Sequence, residues 1–143
     1  MSDRPRTIRE NGRAKAWRPL PEAARRAALA EALAAYGRGD YFLAHELLEP
    51  AWMGADDPRE RALHSGIIKL AAAFVHGIRG NSAGVLKNLA GAGDRLRDGA
   101  PAGPAFGIDV PAVLAQLDAC REAVRRGAEP LPIEIRRMEV SVP

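Results

Sequence analysis

Apolar residues recur at intervals of three and four along most of the chain, the spacing that places them on one face of an α-helix. Helical segments are predicted at about 22–36, 41–49, 58–78, 82–97 and 110–126. The first of them is rich in alanine, the residue with the highest helix propensity. The pattern therefore predicts an all-α fold, a single-domain bundle of about five helices built from helical hairpins.

Turn signals separate the helical segments. Glycine accepts the left-handed conformation at a helix C-terminus, and a following Asp or Asn caps the next helix. The predicted helix starts are marked by Pro21, Gly39-Asp40, Asp57-Pro58, Gly80-Asn81 and Asp109. Proline removes one backbone donor inside a helix, so Pro50 predicts that the second helix kinks or ends near Glu49.

The third helix is predicted to bury one apolar ridge, made of Leu63, Ile67, Leu70, Phe74 and Ile78. A second ridge on the same helix carries Ser65, Lys69, Ala72 and His76. His64 lies outside both ridges, so we expect it at the surface or at an edge.

Three regions follow from the pattern: an arm (1–20), a helical domain (21–128) and a tail (129–143). The arm shows neither helical nor alternating spacing and is predicted to be irregular. In the tail, Ile133, Ile135, Val140 and Val142 partly alternate with polar residues. We expect an extended tail that covers the body or contacts another chain, so a homodimer also fits.

Composition and charge narrow the class of protein. A chain of 143 residues, 47% hydrophobic and 27% charged, is typical of one globular domain. Residues 1–26 carry eight basic and three acidic side chains, a net +5, while the remainder carries 13 and 15, a net −2. Such an arm can pair with nucleic-acid phosphates. No nucleic-acid-binding motif accompanies it, and we keep this function only as a second alternative.

The single cysteine, Cys120, excludes an intramolecular disulfide and is expected in the core. No apolar run has the length of a membrane-spanning helix, and no apolar signal segment begins the chain. The expected location is therefore the cytoplasm, without a membrane partner.

The second helix carries the candidate chemistry. Phe42, His45, Glu49 and Trp52 fall on one stripe, and apolar residues occupy most of the remaining circumference. A helix that is apolar nearly all round is normally buried, and a buried carboxylate or imidazole needs a partner. One interpretation is a paired polar network that includes His76 and Lys69. Another is a pocket for a small ligand or protein partner, whose candidate binding residues are Phe42, His45, Glu49, Trp52, Lys69, His76 and Asn81.

A metal-dependent or acid–base enzyme is the alternative. The candidate catalytic residues are His45, Glu46, Glu49 and His76, and His45, Glu49 and His76 would suit zinc, iron or manganese. The ammonium group of Lys69 on the same ridge disfavours a divalent cation, so we expect no cofactor. The sequence HELLE lacks the second histidine of the HExxH zinc signature, which argues against a metalloprotease.

The segments GDYFLAHELLEPAW, GIIKLAAAFVHGIRGN and SAGVLKNL together resemble the DUF309 family of small, mainly prokaryotic helical proteins. The resemblance covers roughly residues 27–110, and NGRAKAWRPLP in the arm resembles longer members. The matching positions are Phe42, Ala44, His45, Glu46, Glu49, Trp52, Gly66, Ala71, His76, Gly80, Asn81 and Gly84. Family members often carry glutamine where this chain has Lys69. The resemblance implies an all-helical domain without an established activity.

These observations favour a non-enzymatic binding or interaction module whose polar cluster lies between the second and third helices. Whether the protein is an enzyme stays open from the sequence.

Overall fold

The computed structural model describes residues 7–10, 13–16 and 19–138. Most of this part of the chain is helical, and the predicted all-α fold is confirmed. The helices are α1 (Glu22–Gly37), α2 (Tyr41–Gly54), α3 (Pro58–Ile78), α4 (Ser82–Gly99) and α5 (Val110–Arg125). Short turns join the first four, and a longer loop leads from α4 to α5.

The N-terminal arm contains a hairpin that we did not predict. Strands β1 (Thr7–Glu10) and β2 (Arg13–Ala16) pair antiparallel, with Thr7 opposite Ala16 and Glu10 opposite Arg13. The sequence between the strands is Asn-Gly, the dipeptide that favours a two-residue hairpin turn. Our expectation of an irregular arm overlooked this signal. The basic side chains of the arm lie outside the described part of the structure, so nucleic-acid binding stays a prediction.

The two glycine-containing turns have the local structure that their sequences predict. Gly39 and Gly80 adopt left-handed φ angles of +80° and +70°. In the following residues, Asp40 Oδ1 and Asn81 Oδ1 accept hydrogen bonds from the backbone N–H three residues later, at 3.4 and 3.0 Å. Both side chains therefore cap a helix, and α1–α2 and α3–α4 are hairpins of similar construction.

α2 does not end near Glu49, because it continues through Pro50 to Gly54. Pro21 is the N-cap of α1, which begins at Glu22. Pro50 removes one backbone hydrogen bond, but the turn that follows it is anchored by side chains of the interior. Ala51 is fully buried and Trp52 is 3% exposed, so packing stabilises the last turn of α2.

α3 is the central helix and packs against both α2 and α4. Its contact with α4 is close because glycine lies at two crossing points. A Cβ atom at Gly66 would be 2.8 Å from Leu96 Cγ, and one at Gly99 would be 2.8 Å from the Leu63 backbone nitrogen. A side chain at Gly99 would meet the backbone of α3, and one at Gly66 would displace the Leu96 side chain.

Since α3 is covered on two sides, its buried surface is wider than the predicted ridge. Leu63, Ile67, Leu70 and Phe74 are buried as expected. His64 is also buried, with 2% of its surface exposed, and the prediction that it lies at the surface is wrong. Ile78, predicted to be buried, is 76% exposed at the end of the helix.

The C-terminal part of the chain completes the core. Val113, Leu117, Cys120 and Val124 of α5 are buried, and burial raises the pKa of the Cys120 thiol. The tail runs back over the body, where Ile133 is 3% exposed. Val140 and Val142 lie outside the described residues. Within the described part of the chain, no helix is both long and apolar enough to cross a membrane.

Candidate functional site

α2 divides into an inward and an outward face. Ala44, Leu48, Ala51 and Trp52 are buried between α1 and α3. Phe42 is 62% exposed, His45 and Glu49 are partly exposed, and Glu46 is exposed. The expectation that the whole helix is buried is therefore wrong. Of the predicted stripe, Trp52 belongs to the core, whereas the other three residues face outward.

The outward face of α2 brings three potential ligands together, which we call the α2 cluster: His45, Glu46 and Glu49. Each offers one ligand atom, and these atoms lie within 4.8 Å of one another. His45 Nδ1 is 3.6 Å from Glu46 Oε1, which is too long for a hydrogen bond. This nitrogen atom is buried and has no hydrogen-bond partner among the described residues. The Phe42 ring stacks beside the imidazole, with a centroid distance of 6.5 Å.

His76 does not belong to the α2 cluster and lies at the junction between α3 and α4. Its Nδ1 lies 3.1 Å from Asn81 Nδ2. Because Asn81 Oδ1 accepts from the Gly84 N–H, the amide nitrogen is the donor and His76 Nδ1 accepts. A histidine that binds a metal through Nε2 normally donates from Nδ1 instead. His76 therefore contributes to the junction between α3 and α4.

The close packing at this junction explains why residue 84 is a glycine. A Cβ atom at Gly84 would lie 2.6 Å from His76 Nδ1, so the imidazole sits directly on the first turn of α4. About two turns farther along the interface, the side chain of Lys69 lies across Gly91, where a Cβ atom would be 3.1 Å from Lys69 Cδ. Lys69, His76 and Asn81 therefore all contact the α3–α4 interface.

A second group of charged and polar residues, which we did not predict, lies where α1, α2 and α3 meet. Arg25 Nε donates to Glu60 Oε2 at 2.5 Å, and Arg25 also donates to the Leu20 carbonyl at the base of the arm. His64 is buried beside this pair. Burial lowers the pKa of His64 to about 4, and the Arg25 charge acts in the same direction. Glu60 and a hydrogen bond with the Ala51 backbone partly oppose the decrease in this pKa.

His64 was missed because it lies outside both predicted ridges of α3. The signal that would have found it is the small residue Gly66, which predicts a helix contact beside the apolar ridge. A helix packed on two sides buries nearly all positions along its middle, whatever their polarity. The His64 Nδ1 atom is buried without a hydrogen-bond partner among the described residues, so only a neutral imidazole is well tolerated there.

A family model described as a domain of unknown function, DUF309, matches residues 29–88. The match spans the end of α1, all of α2 and α3, and the start of α4. It therefore includes the α2 cluster, His64 and the His76–Asn81 junction. No curated protein and no solved structure matches the chain significantly. The match of residues 29–88 to this family model confirms the resemblance to DUF309 that the sequence shows.

Proposed function

We propose that the protein is a binding module that takes a divalent metal ion on the outward face of α2. The α2 cluster supplies the ligands. The observation that supports this function is the approach of His45, Glu46 and Glu49, whose ligand atoms lie within 4.8 Å of one another. All three side chains are partly or fully accessible, so an ion can reach them without unfolding of the helix.

The donor set indicates the class of ion. One imidazole nitrogen and two carboxylate oxygens are ligands for zinc, iron or manganese, in contrast to the all-oxygen sets of calcium and magnesium. His45 and Glu49 are four residues apart and so lie on one side of the helix. Glu46 reaches the same point from the neighbouring position. Water completes the coordination in this proposal, because every protein ligand comes from a single helix.

The His45 Nδ1 atom gives the proposal a second support. This nitrogen atom is buried and has no hydrogen-bond partner among the described residues. A metal ion bound by the cluster would satisfy it.

The proposal stops at binding and does not extend to catalysis. A cleft of about 450 Å³ lies elsewhere, between α1, the start of α2 and the tail, and no residue of the α2 cluster lines it.

The test is a metal titration of untagged protein that has been treated with a chelator. We expect isothermal titration calorimetry to give one Zn²⁺ or Mn²⁺ per chain. Removal of a single ligand in His45→Ala or Glu49→Gln should weaken binding at least tenfold, about 1.4 kcal/mol or more.

The matched control is Asp94→Asn, which removes an exposed carboxylate of α4 outside the cluster. This variant should bind the ion as the unchanged protein does. Equal affinity in His45→Ala and the unchanged protein would refute the proposed site.

A further inference from the structure

The two backbone edges of the tail, residues 129–138, differ in their hydrogen bonding. Gln116 of α5 donates to the Glu134 carbonyl at 3.0 Å and accepts from the Glu134 N–H at 2.8 Å. The Asp109 N–H donates to the Arg136 carbonyl at 3.0 Å. In an extended chain, alternate residues direct their backbone groups to the same side. These bonds therefore define an inner edge that faces α5 and the loop before it.

The outer edge carries the backbone groups of Ile133 and Ile135. The Tyr36 hydroxyl donates to the Ile133 carbonyl at 2.7 Å. Burial raises the pKa of Tyr36 well above its usual value, so this hydroxyl stays protonated and continues to donate. At Ile135, neither the N–H nor the C=O bonds to any described residue. An unpaired extended edge is a template for a further strand.

A cleft of about 450 Å³ borders this segment. One wall is residues 132–136 of the tail, and the other includes Leu33, Tyr36 and Tyr41. Tyr41 stacks on Phe74 at a centroid distance of 5.0 Å, which gives this wall a rigid aromatic surface. The volume lies within the range of about 300–1,000 Å³ that is typical of ligand sites.

We propose that this cleft binds an extended peptide, which adds as an antiparallel strand to the open edge at Ile135. The N–H and C=O of Ile135 would form hydrogen bonds with the backbone of the central residue of the peptide. Recognition of this kind depends on main-chain hydrogen bonds. The side chain of that residue would point with Ile135 toward the aromatic wall, so we expect it to be apolar. This inference does not depend on the proposed metal site.

Charges on the tail define the flanking residues of the peptide. Glu134 and Arg136 are exposed on either side of Ile135, and neither has an ion-pair partner within the described part of the chain. Opposite charges favour directly facing positions in an antiparallel pair. The preferred peptide therefore has an acidic residue opposite Arg136 and a basic residue opposite Glu134. Read from its N-terminus, it has the order acidic–apolar–basic.

The probe is a capped synthetic peptide of sequence Thr-Glu-Ile-Lys-Thr, which has this order and does not occur in the chain itself. We expect it to shift the backbone amide NMR signal of Ile135 and the side-chain signals of Tyr41 on titration. The same peptide with an N-methyl group on its central isoleucine lacks the pairing donor and should bind about tenfold more weakly or worse.

Variants of the protein test the edge itself. Ile135→Pro removes an N–H that bonds to no described residue and should abolish binding, whereas Ile135→Val should bind as the unchanged chain does. Should Ile135→Pro not fold, Tyr41→Ala tests the opposite wall and should weaken binding at least tenfold. Equal binding of the N-methylated peptide, or unchanged binding by a folded Ile135→Pro, would overturn the proposal. Sedimentation that shows a dimer lost in Ile135→Pro would also overturn it, because a second copy would then occupy the edge.

Discussion

His64 of α3 and His45 of α2 lie on opposite sides of α2, one buried and the other partly exposed. On the face that packs on α3, His64 is enclosed with 2% of its surface exposed, and burial lowers its pKa to about 4. On the outward face, His45 keeps 34% of its side chain accessible and shares its surroundings with two carboxylates. The same residue type is thus an element of packing on one face and a potential ligand on the other.

The environments of the two histidines therefore differ in burial, although the residue type is the same. A buried histidine affects the free energy of unfolding through its proton, whereas an accessible histidine affects binding. Substitutions on the two faces should therefore change different measurements.

The largest effect is expected at His64 and depends on pH. Its pKa is about 4 in the folded protein and 6.5 when unfolded, so the unfolded state binds more protons between these values. Stability should fall as the pH drops below about 6.5 and level off below about 4. One pKa unit corresponds to about 1.4 kcal/mol, so the loss should approach roughly 3 kcal/mol. Urea unfolding at pH 7, 5 and 4 measures it.

Carboxyl groups titrate in the same range, so the His64→Leu variant supplies the reference. Its stability should depend less on pH than that of the unchanged protein. Parallel pH profiles for the two proteins would show that His64 does not have the proposed role.

The Arg25–Glu60 pair beside His64 should have the next largest effect. The two side chains are 20% and 13% exposed, so Arg25→Met leaves a mostly buried carboxylate without its partner. We expect a loss of about 2 kcal/mol in the free energy of unfolding. The matched control is Arg26→Met, whose pair with Glu22 is exposed and should contribute almost nothing. Similar losses in the two variants would contradict the distinction between buried and exposed pairs.

A smaller effect is expected at the α3–α4 junction, where His76 is neither enclosed nor part of the α2 cluster. Asn81→Ala removes the cap of α4 and the donor to His76, and should cost about 1 kcal/mol in thermal unfolding. Asp40→Ala removes only the corresponding cap of α2, and its loss of stability should be no larger than that of Asn81→Ala. A larger loss in Asp40→Ala would mean that the contact with His76 adds no stability.

The smallest effect on folding is expected at His45. Because its side chain is accessible, His45→Ala should change the free energy of unfolding by less than about 0.5 kcal/mol while it weakens metal binding. Differential scanning calorimetry of the metal-free protein measures the first quantity. A decrease of several degrees in Tm would instead favour a structural polar network at this position.

The helical fold was predictable because its boundaries are encoded locally. Asp40, Asp57, Asn81 and Asp109 each cap the helix that their sequence context predicts. α2 does not end at Pro50, because packing of the residues after a proline can outweigh its local cost. The arm hairpin was missed because its turn signal is only two residues long and its strands are short.

The candidate site was predictable only in part. Spacing along the helix brought His45 and Glu49 together correctly, since both lie on α2. Which face of α2 is buried depends on how α1 and α3 pack against the helix. Spacing within one helix does not contain this information. For the same reason, the exposure of Phe42 and the separation of His76 from the α2 cluster emerged only with the assembled bundle.

The glycines of α4 affect local unfolding of the protein. Gly84 and Gly91 each weaken an isolated helix by about 1 kcal/mol relative to alanine, yet each lies directly against a side chain of α3. α4 should therefore be helical only while it is docked. Amide hydrogens of α4 and of the centre of α3 should exchange with solvent through one shared opening event, so that the two helices form a single cooperative unit.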